Sequence, residues 1–181
     1  MRLAYLALPL FALAACSQEP AEEAETPETA VTGPMENATL DLQATGIIVP
    51  PQNGFEQLDV PFGSMRAPTE VTLGNVLGEP TDGHDGSGDC ALQSAIYPGI
   101  TVNFRDDEFV GYYAETPFVD ALGNRTEMLS DPGVALVDDS TLGEEFAIGA
   151  EGGPTISGIF TGAGDDAAVE ALWAGENCIA R

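Results

Sequence analysis

The stretch AIYPGITVNFRDDEFVGYYA, residues 95–114, decides the fold. It contains three short apolar segments, separated by the pair 98–99 (Pro-Gly) and by the acidic triplet 106–108, and both separators are typical of tight turns. In the segment 100–104 every second residue is apolar, which is the pattern of a strand with one buried face. The stretch therefore predicts an antiparallel meander of three strands.

A helix is predicted just before this meander. Pro68 suits the first turn of a helix, and Glu70 favours its positive end. Gly78 and Pro80 predict its end. The apolar stripe of this helix would comprise Val71, Leu73, Val76 and Leu77. Two short strands are predicted upstream of it, at residues 46–49 and 58–60.

The second half of the chain repeats this plan loosely. A cap at Gly123-Asn124 predicts a short helix that ends near Leu129. Strands are predicted at residues 134–137, 145–148, 155–161 and 169–174. The sequence thus predicts an α+β fold of short helices packed on antiparallel β-meanders. It also suggests two tandem helix-plus-sheet units, at about 55–115 and 120–178. The alternative is that the acidic hairpins of the two halves resemble each other by chance.

The first of these units resembles a known kind of protein. The resemblance is carried by a helix that ends in Leu77-Gly78-x-Pro80-Thr81, a strand that ends in tyrosine, the segment 100–104 and an acidic turn. These features look like the small outer-membrane lipoproteins of the SmpA/OmlA type. They are also similar to the related tandem fold of β-lactamase-inhibitor proteins. The resemblance covers about residues 62–114 and implies a binding module without catalysis.

Residues 1–15 have the features of a secretory signal. Arg2 is followed by an apolar run that is too short to span a bilayer as a mature helix. Residues 13–16, LAAC, resemble the lipobox of bacterial lipoproteins, which implies that Cys16 carries the lipid, including palmitate. Ser17 follows, and the same resemblance then favours the outer membrane, with the protein facing the periplasm or the cell surface. An ordinary secretory signal that is cut nearby is the alternative.

The next segment predicts a tether. Residues 18–37 contain six glutamates, three prolines and no aromatic residue, so they cannot build a core. We therefore expect an acidic disordered tether over residues 16–38, and a globular α+β domain over residues 39–181. The lipid would make the membrane one partner of the chain, and an unidentified envelope protein would be the other.

The charge of the chain excludes several functions. The formal net charge is −25, with 30 acidic residues against 5 basic ones, all of which are arginines. No basic patch can form, so we expect no binding to nucleic acid or to anionic headgroups through charge. A P-loop and Schiff-base chemistry both need a lysine, and the chain has none.

The two cysteines other than Cys16 predict a disulfide. If Cys16 carries the lipid, Cys90 and Cys178 are the two cysteines that remain. In an oxidising compartment, two such cysteines are normally joined by a disulfide. The alternative is a reactive thiol with His84 as its base.

An acidic stretch between the helix and the meander suggests calcium. The candidate oxygen ligands are Asp82, Asp85, Ser87 and Asp89, and three of them have the alternate spacing of a calcium loop. The rest of an EF-hand is missing, because Cys90 replaces its glycine and Ile96 its bidentate glutamate. A solvated surface loop is the alternative to a calcium-dependent envelope protein.

Residues 162–167, GAGDDA, match the glycine pattern of dinucleotide-binding proteins. Only fourteen residues follow, which is too few for the rest of such a unit, so a hairpin turn is favoured over a dehydrogenase.

The sequence thus predicts a lipid-anchored binding or structural module without catalytic residues, and with no cofactor other than the calcium alternative. The aromatic residues Tyr112, Tyr113 and Trp173 are its partner-binding candidates, with core packing as the alternative for each.

Overall fold

In the computed structural model of the chain, the described residues are 37–52, 54, 56–150 and 152–179. The predicted signal peptide, Cys16 and the tether as far as residue 36 lie outside them. All the described residues belong to one unit, Val31–Arg181. None of the helices formed by these residues is long and apolar enough to cross a membrane.

The described chain contains two antiparallel sheets and two short helices, which confirms the predicted α+β fold. The three-stranded sheet consists of β1 (Asp41–Gln43), β2 (Gly46–Val49) and β3 (Leu58–Pro61), in that order. The next elements are α1 (Arg66–Leu77), β4 (Thr81–Asp85), β5 (Gln93–Tyr97), β6 (Ile100–Arg105) and β7 (Glu108–Ala114). The last are α2 (Arg125–Leu129), β8 (Val134–Leu136), β9 (Glu145–Ile148), β10 (Ile156–Phe160) and β11 (Val169–Gly175).

Strands β4 to β11 form one sheet of eight strands. Their order is β4-β5-β6-β7-β11-β10-β9-β8, so the final strands of the two meanders, β7 and β11, pair at the centre. Each meander of four strands follows one helix, α1 or α2. The element order is therefore the same in the two halves, while the two repeated units at about 55–115 and 120–178 stay a prediction.

Helix α1 has its buried side shifted from the predicted stripe. Its buried residues are Thr69, Leu73, Val76 and Leu77. Val71 is 65% exposed, because it lies two residues from Leu73 and so points away from the packed side. Thr69 takes its place, and the Thr69 hydroxyl has no hydrogen-bond partner among the described residues. Gly78 ends the helix as predicted, with a φ of 87° and its N–H donating to the carbonyl of Gly74.

Helix α2 is short and begins at the predicted cap. The side chain of Asn124 accepts a hydrogen bond of 2.9 Å from the Glu127 N–H. In return, the Glu127 carboxylate accepts one of 3.0 Å from the Asn124 N–H. This reciprocal pair is a capping box, which satisfies two N–H groups at the start of the helix.

Two adjoining cores hold these layers together. The first core fills the space between α1, the three-stranded sheet and strands β5 to β7, and includes Phe104, Phe109 and Tyr112. The second core is smaller, and its buried residues are Val119, Phe146, Phe160, Val169 and Leu172. Leu42 and Ile156 pack against both cores, so the two halves share apolar contacts.

Strand β4 occupies part of the stretch for which the sequence predicted a surface loop. It is an edge strand that pairs with β5, with an irregular register between Asp82 and Asp85. The Ser94 hydroxyl on β5 accepts a hydrogen bond of 2.7 Å from the His84 N–H. A Cβ at Gly83 would overlap this hydroxyl, so glycine allows the close approach. The strand thus depends on its neighbour β5 and has no apolar alternation of its own.

Candidate functional site

The pairing of the strands divides the eight-stranded sheet into two faces. Residues that are paired across neighbouring strands lie on the same face. The inner face carries Val102 and Tyr112, which belong to the first core. The opposite side, which we call the outer face, carries a cross-strand row of five residues. In strand order, this row is Ile96, Thr101, Tyr113, Trp173 and Ser157.

An aromatic pair lies at the centre of this row. The rings of Tyr113 and Trp173 are stacked, with centroids 6.2 Å apart and planes at 17°. Tyr113 is partly exposed, whereas Trp173 is only 6% exposed. Trp173 therefore supports the tyrosine from one side and offers little surface itself.

Tyr112 does not belong to the predicted partner-binding surface. It is fully buried on the inner face, because successive residues of a strand point to opposite faces. Its hydroxyl donates a hydrogen bond of 3.1 Å to the carbonyl of Gln43 in β1. Burial, and secondarily the charge of Asp41, raises the pKa of Tyr112. Tyr112 thus joins the two sheets, and Tyr113 is the exposed member of the pair.

The last described residues of the chain cross the outer face. We call residues 176–179 the C-terminal strap. The side-chain amide of Asn103 donates to the carbonyl of Glu176 (3.2 Å) and to the side-chain oxygen of Asn177 (2.8 Å). A Cβ at Gly111 would overlap the backbone of Glu176, so only glycine admits the strap at this point of β7. These contacts leave Asn103 only 6% exposed.

A disulfide fixes the far end of the strap, which confirms the predicted pairing. Cys178 is joined to Cys90, which is 88 positions away in sequence, and their Cα atoms are 5.7 Å apart. Near the other end, Arg105 Nε donates a hydrogen bond of 2.9 Å to the Glu176 carboxylate. Since the two sulfurs are bonded to each other, neither is a free thiol for nucleophilic attack.

An open cleft lies between the strap and strand β4. We call it the outer-face cleft. Its lining residues are His84, Ser94, Thr101, Asn103, Tyr113 and the strap residues Asn177, Cys178 and Ile179. Hydroxyl, amide and imidazole groups from four strands therefore face one space. The Nδ1 atom of His84 lies 3.0 Å from both the Leu92 carbonyl and the Gly86 N–H, so its donor or acceptor role depends on the tautomer.

Two exposed glutamates lie close in sequence to the aromatic pair, Glu115 two residues after Tyr113 and Glu170 three residues before Trp173. Burial raises the pKa of Tyr113, and the negative charges of Glu115 and Glu170 raise it further. The hydroxyl of Tyr113 thus stays protonated at neutral pH. Each of the three described arginines is paired elsewhere: Arg66 with Glu70, Arg105 with Glu176 and Arg125 with Glu144. Within the described chain, Glu115 and Glu170 therefore have no arginine partner.

The calcium candidates are spread over β4 and the loop after it. Asp82 and Asp85 are exposed residues of β4, whereas Ser87 and Asp89 follow the strand. The carboxylate of Asp85 accepts a hydrogen bond of 2.9 Å from the Ser87 N–H. Hydrogen bonds from the side chain and backbone of Ser87 lower the pKa of Asp85. No group of three or more His, Cys, Asp or Glu residues suited to a metal ion occurs in the described part of the chain.

The glycine pattern at residues 162–167 lies in the turn that joins β10 to β11, which confirms the predicted hairpin turn. The element after this turn is a strand, whereas a dinucleotide site needs a helix there. Carbonyls of the turn accept hydrogen bonds from the start of α2, with Arg125 N–H to Ala167 at 2.8 Å and Thr126 N–H to Asp165 at 3.1 Å. The turn thus anchors α2 to the sheet.

Sequence reasoning missed the residues that form the floor of the site. Thr101 and Asn103 were expected only as the outward positions of a strand, and the strap was not anticipated. One signal was present, because Gly111 interrupts an otherwise bulky strand, and a glycine inside a strand often marks the close approach of another backbone. Such a signal locates the approach but does not identify the segment that makes it.

Comparisons of the chain with protein-family models, curated proteins and solved structures find no match. The resemblance to lipoproteins of the SmpA/OmlA type and to β-lactamase-inhibitor proteins therefore stays a prediction.

The close passage of the strap over Gly111 leads to a first prediction. Gly111→Ala is expected to lower the free energy of unfolding by about 1–3 kcal/mol, because the added methyl group displaces backbone atoms of Glu176. Gly74→Ala is the matched control. It adds the same methyl group inside α1, where no atom other than the neighbouring backbone of the helix itself lies within 4 Å, and should stabilise the protein by about 0.5–1 kcal/mol. Urea unfolding followed by Trp173 fluorescence measures the free energy of unfolding of both variants. If Gly74→Ala destabilised the protein as much as Gly111→Ala, the loss could not be assigned to the contact between Gly111 and the strap.

Proposed function

We propose that the chain is a lipid-anchored binding module of the bacterial cell envelope, without catalytic activity, and that the outer face of its large sheet is the binding surface. The observation that carries the proposal is the row from Ile96 to Ser157 beside the outer-face cleft. Polar groups from four strands converge there on a rigid scaffold, which is how binding sites are commonly built.

The proposed location is the outer membrane, with the domain facing the periplasm or the cell surface. The lipid on Cys16 would hold the chain on the membrane, and the acidic segment after it would act as a tether to the domain. The disulfide supports an oxidising compartment, because such bonds persist outside the reducing cytoplasm.

Lipid attachment is tested by metabolic labelling with a palmitate analogue. We expect label on the wild-type chain and none on Cys16→Ser, because the thiol is the proposed attachment point. Ser17→Asp is the matched control, since it keeps the cysteine and should retain the label while moving the protein to the inner-membrane fraction. A labelled Cys16→Ser variant, or an unlabelled wild type, would refute the anchor.

Binding through the outer face is tested by native electrophoresis of envelopes extracted with mild detergent. We expect the wild type to migrate in a complex larger than the monomer. Thr101→Arg places a bulky charge in the cleft and should shift the protein to the monomer position. Val71→Arg places the same side chain on the exposed side of α1 and should leave the complex intact. The opposite result, with the complex lost only in Val71→Arg, would assign binding to another surface.

A further inference from the structure

The outer face is acidic beside Tyr113 and lacks a compensating cation. Glu115 lies two residues after Tyr113, and Glu170 lies on β11, the strand that pairs with β7; both glutamates are exposed. Burial, and then their negative charges, raise the pKa of Tyr113. Every described arginine is already paired with another glutamate. The two carboxylates thus produce a local negative potential that none of the described arginines neutralises.

The chemistry of the cleft complements this charge. Its floor offers the hydroxyl groups of Thr101 and Tyr113, which suit the backbone or polar side chains of a ligand. The Tyr113 ring, stacked on Trp173, is an aromatic surface of the kind to which guanidinium and ammonium groups bind. A carboxylate next to that ring adds a charge-assisted hydrogen bond to the same cation.

We infer that the outer-face cleft accepts a basic segment of a partner protein, with an arginine or lysine placed at Tyr113 between Glu115 and Glu170. This inference rests on the proposed function and adds the chemistry of the partner. The cation would neutralise the carboxylates, while the rest of the segment lies along the row towards Ile96. A second copy of this chain does not fit, because two domains from a chain of net charge −25 repel each other.

The test uses a photo-crosslinking residue, benzoylphenylalanine, in the full-length chain inside the cells that produce it. It replaces Ile96, which is 42% exposed at the end of the row. After irradiation, we expect an adduct whose crosslinked partner peptide, identified by mass spectrometry, carries an excess of Arg and Lys. The same residue at Leu58, which is 39% exposed on β3, is the control position and should not give this adduct.

Charge variants decide whether the carboxylates select the partner. In the Ile96 crosslinking background, Glu115→Gln combined with Glu170→Gln should reduce the adduct at least fivefold. Asp106→Asn combined with Asp107→Asn removes the same two charges from the β6–β7 turn and should change the yield less than twofold. Both of these aspartates have positive φ, which asparagine also tolerates.

The possible outcomes separate the inference from the proposed function. An adduct with a neutral or acidic peptide, or a yield that falls equally in both double variants, overturns the basic partner but leaves the binding module standing. The absence of any adduct from Ile96, together with a monomer on native electrophoresis, overturns both.

Discussion

Replacing both Cys90 and Cys178 by serine is expected to lower the free energy of unfolding by about 4–5 kcal/mol on the chain-entropy account of disulfides. The bond joins residues separated by 88 positions, so the oxidised unfolded chain is restricted over about half its length. A loss of this size is a large fraction of the total stability of a domain, which is typically about 5–15 kcal/mol.

Equilibrium unfolding in urea, followed by far-UV circular dichroism, measures this loss. Both proteins should carry Cys16→Ser, so that they differ only in the disulfide. Treatment of the oxidised protein with dithiothreitol should reproduce the loss without any substitution. A difference below about 1 kcal/mol in both experiments would show that the disulfide does not restrain the unfolded chain.

The disulfide should also affect the outer-face cleft. Residues 177–179 line the cleft, and Cys178 fixes their position against the loop that carries Cys90. The start of the strap has independent support, because Asn103 holds both Glu176 and Asn177. Loss of the disulfide is therefore expected to free the end of the strap while its first two residues stay on β6.

Much of the fold could be predicted because its signals are local. The turns at 98–99 and 106–108 and the alternation in 100–104 predicted β5 to β7, and Asn124 predicted the cap of α2. Strand β4 escaped prediction, since its sequence TDGHD has neither alternation nor β-propensity. It is a strand only because Ser94 on β5 accepts the His84 N–H and Gly83 permits close pairing.

The candidate site could be predicted only in part, because it depends on register. Tyr112 and Tyr113 are adjacent and chemically equal, and only the pairing of β7 with β6 and β11 assigns Tyr113 to the outer face. The strap depends on a contact between Asn103 and Asn177, which are 74 positions apart, and no local pattern encodes it. The disulfide was the exception, because two remaining cysteines in an oxidising compartment allow only one pairing.

Phe146→Ala is expected to lower the free energy of unfolding by about 3–5 kcal/mol, which is typical for a fully buried phenylalanine. Phe146 has no exposed surface, and its ring stacks on Phe160 with centroids 4.3 Å apart. It also fills the space above Gly158, where a Cβ would overlap the ring. The second core is small, so few neighbouring side chains can move into the cavity. Leu136→Ala is the matched control, because Leu136 pairs with Phe146 across the strands but is 40% exposed, and it should cost less than about 1 kcal/mol.

The same variant tests whether the two halves of the large sheet unfold together. Strands β7 and β11 pair across the centre, and Leu42 and Ile156 pack on both cores, so damage to the second core should be transmitted to the first. We therefore expect Phe146→Ala to shift one common transition, with Trp173 fluorescence and far-UV circular dichroism giving the same midpoint. Separate midpoints for the two signals would mean that the halves are independent. The outer-face row crosses from β5 to β10, so it would then lose its rigid scaffold whenever the second half unfolded. Binding through this row would in that case require the partner to hold the two halves together.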